Sequence, residues 1–199
     1  MFNKKTDHPR GSKKLIGAWA LYDWANSVYS LVISSAVFPI YYSQYIFADT
    51  NSIILFNLEI NKDTLISSVS GLSFLLIAFL SPLLSGIADY IGNKKIFMKF
   101  FVYLGSFSCI SLYWFELETI EISLVFYVLG LIGFWGSLVY YNSYLTDITY
   151  PKQTNKVSAR GYVMGYIGSV ILLLVNLIMI NYYESFGFSS EIYAMKTSF

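Results

Sequence analysis

Charge is distributed in this 199-residue chain so that long stretches hold none of it. Residues 64–88, 122–146 and 161–183 are uncharged for 25, 25 and 23 positions. Residues 15–48 hold one charge, Asp23, in 34 positions, and residues 100–115 hold none in 16. A helix that crosses the hydrocarbon core of a bilayer needs ~20 apolar residues, within a range of ~17–25. Four runs meet that length directly. The third meets it when Ile96, Phe97 and Met98 extend it past Lys99, whose long stem lets the ammonium reach the interface. Backbone in lipid must satisfy its own hydrogen bonds, so these runs are expected to be helices and not open strands. The expected fold class is all-α, a polytopic bundle of five transmembrane helices at about 15–46, 64–88, 96–115, 122–146 and 161–183. A basic arm, residues 1–14, precedes them, and a short tail, residues 184–199, follows.

Composition agrees and narrows the function. Hydrophobic residues make up 56% and charged residues 13%, whereas a soluble domain carries about 25% charge. A net charge of +1 argues against a nucleic-acid partner, which requires a basic surface. One cysteine, Cys109, allows no internal disulfide. One histidine, His8, lies in the polar arm, so no His-ligated metal site and no Ser/His/Asp triad within a packed core is expected. Nothing implies a cofactor. Paired acids and nucleophile–base pairs are missing from any one interface, so an enzyme is disfavoured.

Eleven of the thirteen Lys and Arg fall in the arm, the loop after the second run and the loop after the fourth. Only Lys62 and Lys196 fall on the other side, where eight acids lie. The positive-inside rule therefore places the N-terminus in the cytoplasm, with the tail extracytoplasmic. A cleaved signal peptide fits poorly, because Asp23 and Trp24 interrupt the first run and apolar sequence continues beyond it.

The first helix carries a polar stripe. At ~100° per residue, Asp23, Asn26, Ser27, Ser30, Ser34 and Tyr41 fall near one line. Intramembrane acids usually line a cavity or form a pair. Asp23 is thus read either as a carboxylate handling substrate or protons, or as a structural acid near the cytoplasmic end, with the structural reading favoured. Asn26, Ser30, Asn142 and Asn176 complete the candidate pathway, although a structural hydrogen bond is the commoner fate of a buried amide. Gly161, Gly165 and Gly168 on the fifth helix are read as close-packing positions. Asp89 ends one helix against its macrodipole and so requires a partner, for which Arg160 is the candidate. Gly92 supplies the sharp turn.

That turn, Ser85 to Lys95, resembles the cytoplasmic motif between the second and third helices of major facilitator superfamily transporters. Asp89, Gly92 and Lys94 match it, while Ser85, Tyr90 and Asn93 depart from it. Two further stretches sharpen the resemblance: Tyr22-Asp23-Trp24-Ala25-Asn26-Ser27 followed by Phe38-Pro39, and Ser158-Ala159-Arg160-Gly161 running into Gly165 and Gly168-Ser169. Together they resemble the branch that includes the vacuole effluxers linked to autophagy and their bacterial relatives, over residues 15–180. The resemblance implies a secondary transporter working by alternating access between two six-helix halves. It also implies small organic solutes as cargo, amino acids among them, and a bacterial plasma membrane as location. Asp89, Gly92, Lys94 and Arg160 then belong to a cytoplasmic gate. Twelve spans are the family pattern and five are expected here. The chain is therefore read as the N-terminal portion of a transporter, an incomplete six-helix half, either truncated or completed by a second polypeptide. The alternative is a non-transporting membrane protein, as a degenerate fragment or a partner-binding subunit.

Overall fold

The computed structural model describes residues 9–55 and 57–199. Lys4, Lys5 and His8 of the basic arm lie outside the described residues. Seven α-helices and one hairpin follow in order: α1 Lys13–Val28, α2 Val37–Tyr41, β1 Ser52–Leu55, β2 Leu58–Asn61, α3 Lys62–Ile91, α4 Lys94–Ser111, α5 Ile120–Ile148, α6 Thr154–Asn181 and α7 Glu191–Thr197. The expected all-α bundle is present. Four helices are long and apolar enough to cross a membrane: α3, α4 with the turn after it, α5, and α6 with the turn before it.

Four such helices, not five, correct the expected count. The first run is helical throughout but interrupted. π-helical turns occupy Tyr29–Ala36 and Tyr42–Ile46, leaving α1 with 16 residues and α2 with 5. Pro39 supplies the physical cause. Its ring lacks an N–H and crowds the carbonyl four residues back, at Ser35, and a wider turn relieves that clash. The backbone departs from helical values at Ala36, with φ −119° and ψ −80°. The Ser35 hydroxyl donates to the Ser30 carbonyl at 2.8 Å, satisfying a group inside the widened ladder.

The hairpin is a second departure. β1 pairs antiparallel with β2, with Ile53 opposite Ile60 and Leu55 opposite Leu58. Asn57 takes a left-handed φ of 63° in the turn, a conformation that asparagine tolerates. Asn61 then caps α3 by accepting from the Asp63 N–H at 2.9 Å. Gly92, at φ 69°, ends α3 in the left-handed region.

Helix α5 is the centre of the bundle, and α3, α4 and α1 pack around it. Close approach rests on glycines. A side chain at Gly133 would collide with the backbone of Gly105 on α4, and one at Gly136 would meet the Phe101 ring at 2.5 Å. The other tight pair is α1 with α6. One apolar cluster, containing Phe38, Tyr41, Phe115 and Leu124, fills the end of the bundle beside the hairpin. Another, Ile16, Trp19, Ala20, Tyr141, Ile148 and Val157, fills the basic end. The outward faces stay apolar, with Phe79 75% exposed, as a lipid solvent allows. The tail residues also fold: α7 buries Ala194 and Met195, and Lys196 Nζ lies 2.6 Å from Glu116 Oε1.

Candidate functional site

Asp23 sits on α1 where α6 comes closest. Gly161, Gly165 and Gly168 create that approach. A side chain added at Gly161 would meet the Trp19 ring at 2.5 Å, at Gly165 the Ser27 Oγ at 2.6 Å, and at Gly168 the Trp24 carbonyl oxygen at 2.5 Å. The half-buried carboxylate of Asp23 accepts a long hydrogen bond from Ser27 Oγ, 3.4 Å. No base pairs with it among the described residues, whose ion pairs involve only Asp89, Asp147 and Glu116.

Tyr141 of α5 completes this corner. Its ring stacks on Trp19 with centroids 4.4 Å apart and planes 9° from parallel. The Trp19 indole N–H donates to the Tyr141 carbonyl at 3.0 Å. Held this way, the buried Tyr141 hydroxyl lies beside the Asp23 carboxylate and has no other hydrogen-bond partner. Buried polar groups are nearly always paired, so a hydroxyl whose one neighbour is an acid without a base marks a functional candidate. Sequence reasoning did not single out Tyr141, because its place depends on a contact 118 positions away from Asp23 in the chain.

A groove of about 320 Å³ lies between α1 and α6 beyond Ser27 and Gly165, and neither Asp23 nor Tyr141 lines it. Ser27, Ser30, Ser35 and Ser169 line it with hydroxyls, and Tyr162 and Tyr166 stand along its α6 wall. Ser30 lines this groove and donates to the Ser27 carbonyl at 2.9 Å, while Asp23 reaches the groove's edge only through Ser27. Asn26 instead turns into a separate cavity of about 400 Å³ between α1, α4 and α5, also lined by Tyr29 and Ser137. There the Asn26 Nδ2 and the Tyr29 hydroxyl are both buried and unpartnered. The single polar stripe is therefore divided between two faces. Each π turn adds a residue to the helix, so a line drawn at a constant angle loses register beyond Tyr29. Tyr41 shows the result, being fully buried and donating to the Phe115 carbonyl at 2.6 Å. Asn176 is 4% exposed with an unpartnered Nδ2, eleven residues beyond Gly165 on α6. Asn142 is exposed on α5 and touches neither group.

The loop motif forms its own cluster at the basic end. Lys94 Nζ lies 3.5 Å from Asp89 Oδ1 and 3.1 Å from Asp147 Oδ2. Gly92 makes this possible by folding the start of α4 back onto the end of α3. Asp89 therefore pairs with Lys94 and not with Arg160, which is exposed and makes no ion pair among the described residues. Arg10 supplies a second cation, donating to the Thr146 carbonyl at 2.6 Å and the Asp147 carbonyl at 3.3 Å. A guanidinium there complements the negative end of the α5 dipole.

Comparison with known proteins gives three findings. A family model described as vacuole effluxer Atg22 like matches residues 11–197. An uncharacterized MFS-type transporter of Bacillus subtilis (strain 168), YxiO, is 39% identical over 163 residues, which cover 82% of this chain and 37% of that protein. The chain thus spans little more than a third of the curated relative it matches. No solved structure matches.

Proposed function

This chain belongs to the vacuole effluxer Atg22-like family of MFS-type transporters, and on that premise we propose that it forms part of a secondary-active transporter of small organic solutes, amino acids among them. The single observation that carries the reading is the Asp23 carboxylate, held inside a helix bundle, unpaired with any base among the described residues, and bonded to Ser27, which lines a neighbouring groove. A structural acid is expected to end in an ion pair or a full set of hydrogen bonds. This one meets hydroxyls alone, Ser27 at 3.4 Å and the neighbouring Tyr141, and no base among the described residues.

In this reading α1 and α6 line one wall of the solute path. The opposing wall comes from further helices, whether in the same polypeptide or another, and rocking of the two sets gives alternating access. The Asp89–Lys94–Asp147 cluster acts as the gate at the basic end, with Arg10 fastening the end of α5. Eleven basic residues against two support a cytoplasmic position for that end, and the Bacillus relative supports a bacterial plasma membrane.

The test is flux of labelled solutes into membrane vesicles prepared from host cells with and without the chain. A gradient-driven flux that depends on the chain supports the reading. Identical flux in both preparations, across amino acids and other small solutes, contradicts it and favours a non-transporting subunit.

A further inference from the structure

We propose that the cavity between α1, α4 and α5 binds an uncharged, lipophilic molecule that presents a carbonyl oxygen to Asn26 and Tyr29. The inference goes beyond the transport reading and does not depend on it.

The site has three parts. The first is a pair of donors. Asn26 and Tyr29 stand three positions apart, so they share one face of the helix, and both line the cavity of about 400 Å³. The Asn26 Oδ1 accepts a long hydrogen bond from the Tyr22 hydroxyl, 3.5 Å. Its Nδ2 is buried and has no partner. Tyr29 is 8% exposed, and Ser34 is the group that approaches its hydroxyl, outside hydrogen-bond geometry. Buried donors left unpaired are costly, and a carbonyl oxygen, with two lone pairs, can accept from both.

The second part is space in front of these donors. A side chain at Gly130 of α5 would begin 3.3 Å from the Tyr29 hydroxyl, so the glycine keeps that side of the phenol open. The third is the wall. Val32, Ile33, Val102, Ile110 and Phe134 line the cavity, and no charged side chain does, Asp23 included. An ion would therefore enter at a high cost, whereas an apolar wall with a few placed polar groups is the composition of small-molecule sites. Ile110, 63% exposed on α4, marks a rim on the lipid-facing side, so the molecule enters from the bilayer. A lipid chain would cover this wall and leave both donors unpaired. Water would pair the donors and leave the wall wet. An apolar carbonyl compound satisfies both.

The experiment is photolabelling of the 199-residue chain in lipid nanodiscs with benzophenone, a neutral aromatic ketone, followed by mass spectrometry of the modified peptides. Labelling is expected within residues 25–33 and 101–110, which hold most of the lining of α1 and α4. Acetophenone should halve it at a concentration in the lipid about fivefold below that of ethylbenzene, which lacks only the carbonyl; about fivefold is the value of one hydrogen bond. The anionic analogue 4-benzoylbenzoate should label these segments about tenfold less. Asn26→Leu should erase the acetophenone preference, and Tyr29→Phe should reduce it. Equal competition by acetophenone and ethylbenzene in the unaltered chain overturns the proposal, and that comparison needs no variant to fold. So does labelling spread evenly over the lipid-facing sides of α3, α4 and α6, equal labelling by the anion, or a preference that survives Asn26→Leu. Solute flux is no part of the readout, so this assignment and the transport reading fail separately.

Discussion

The indole of Trp19 lies flat on the ring of Tyr141, 4.4 Å between centroids, and its N–H reaches back to the Tyr141 carbonyl at 3.0 Å. Two contacts therefore fix one side chain, and the side chain they fix is the one whose hydroxyl sits beside Asp23. α1 and α5 meet little elsewhere, so this pair sets their spacing at the basic end.

Replacing Trp19 separates those two contributions. Trp19→Phe keeps the stack and loses the hydrogen bond, for an expected loss of about 1 kcal/mol. Trp19→Ala removes both and leaves a cavity, for about 3–5 kcal/mol. Thermal melting in detergent measures the difference. Equal losses for the two variants would show that the stack contributes nothing.

The glycines of α6 make a sharper contrast. Gly168→Ala places a methyl 2.5 Å from the Trp24 carbonyl oxygen, which belongs to backbone and cannot rotate away. Such overpacking costs about 1–3 kcal/mol. Gly71 on α3 has nothing within 4 Å of an added Cβ, so Gly71→Ala should be neutral or stabilising by about 0.5–1 kcal/mol, through helix propensity alone. Melting temperatures that fall for the first and hold or rise for the second are the expected result.

How much of this was readable beforehand varies by residue. The helices at 64–88, 122–146 and 161–183 follow from a local property, the absence of charge over a bilayer's length; the first two lie within α3 and α5, and the third overruns the end of α6 by two residues. The interrupted first run was not readable in the same way. Pro39 was visible, but its consequence is a change of helical phase, and that phase decides which face Tyr41 occupies. Asp147 and Tyr141 lay unmarked inside an apolar helix or at its edge, because their roles come from partners on other helices. Gly130, Gly133 and Gly136 recur every third residue on α5, and that spacing was the available sign of its close contact with α4.

The basic-end cluster predicts a small effect on stability. Lys94 is partly exposed and Asp89 and Asp147 are about half exposed or more, and exposed ion pairs contribute about 0–1 kcal/mol. Lys94→Ala should lower the melting temperature slightly at low salt, and the difference should shrink as salt screens the charges. Lys94→Glu places three acids together and should be clearly worse. A large loss on Lys94→Ala that salt leaves unchanged would mean packing, and not charge, holds this end.

Orientation is checked by thiol chemistry in intact cells, using a background in which Cys109, the sole native cysteine, is replaced by serine. A cysteine at position 94 should be shielded from an impermeant maleimide added outside, and one at position 118 should react. The reverse pattern would invert the assignment of the eleven basic residues to the cytoplasm.

Asp23→Asn carries the central claim. The amide keeps the size of the carboxylate and the acceptor for Ser27, and removes only the charge. In vesicles with matched protein levels and unchanged helicity, the account predicts loss of chain-dependent solute flux. Flux equal to that of the unaltered protein would contradict it, leaving Asp23 a structural residue of the contact between α1 and α6.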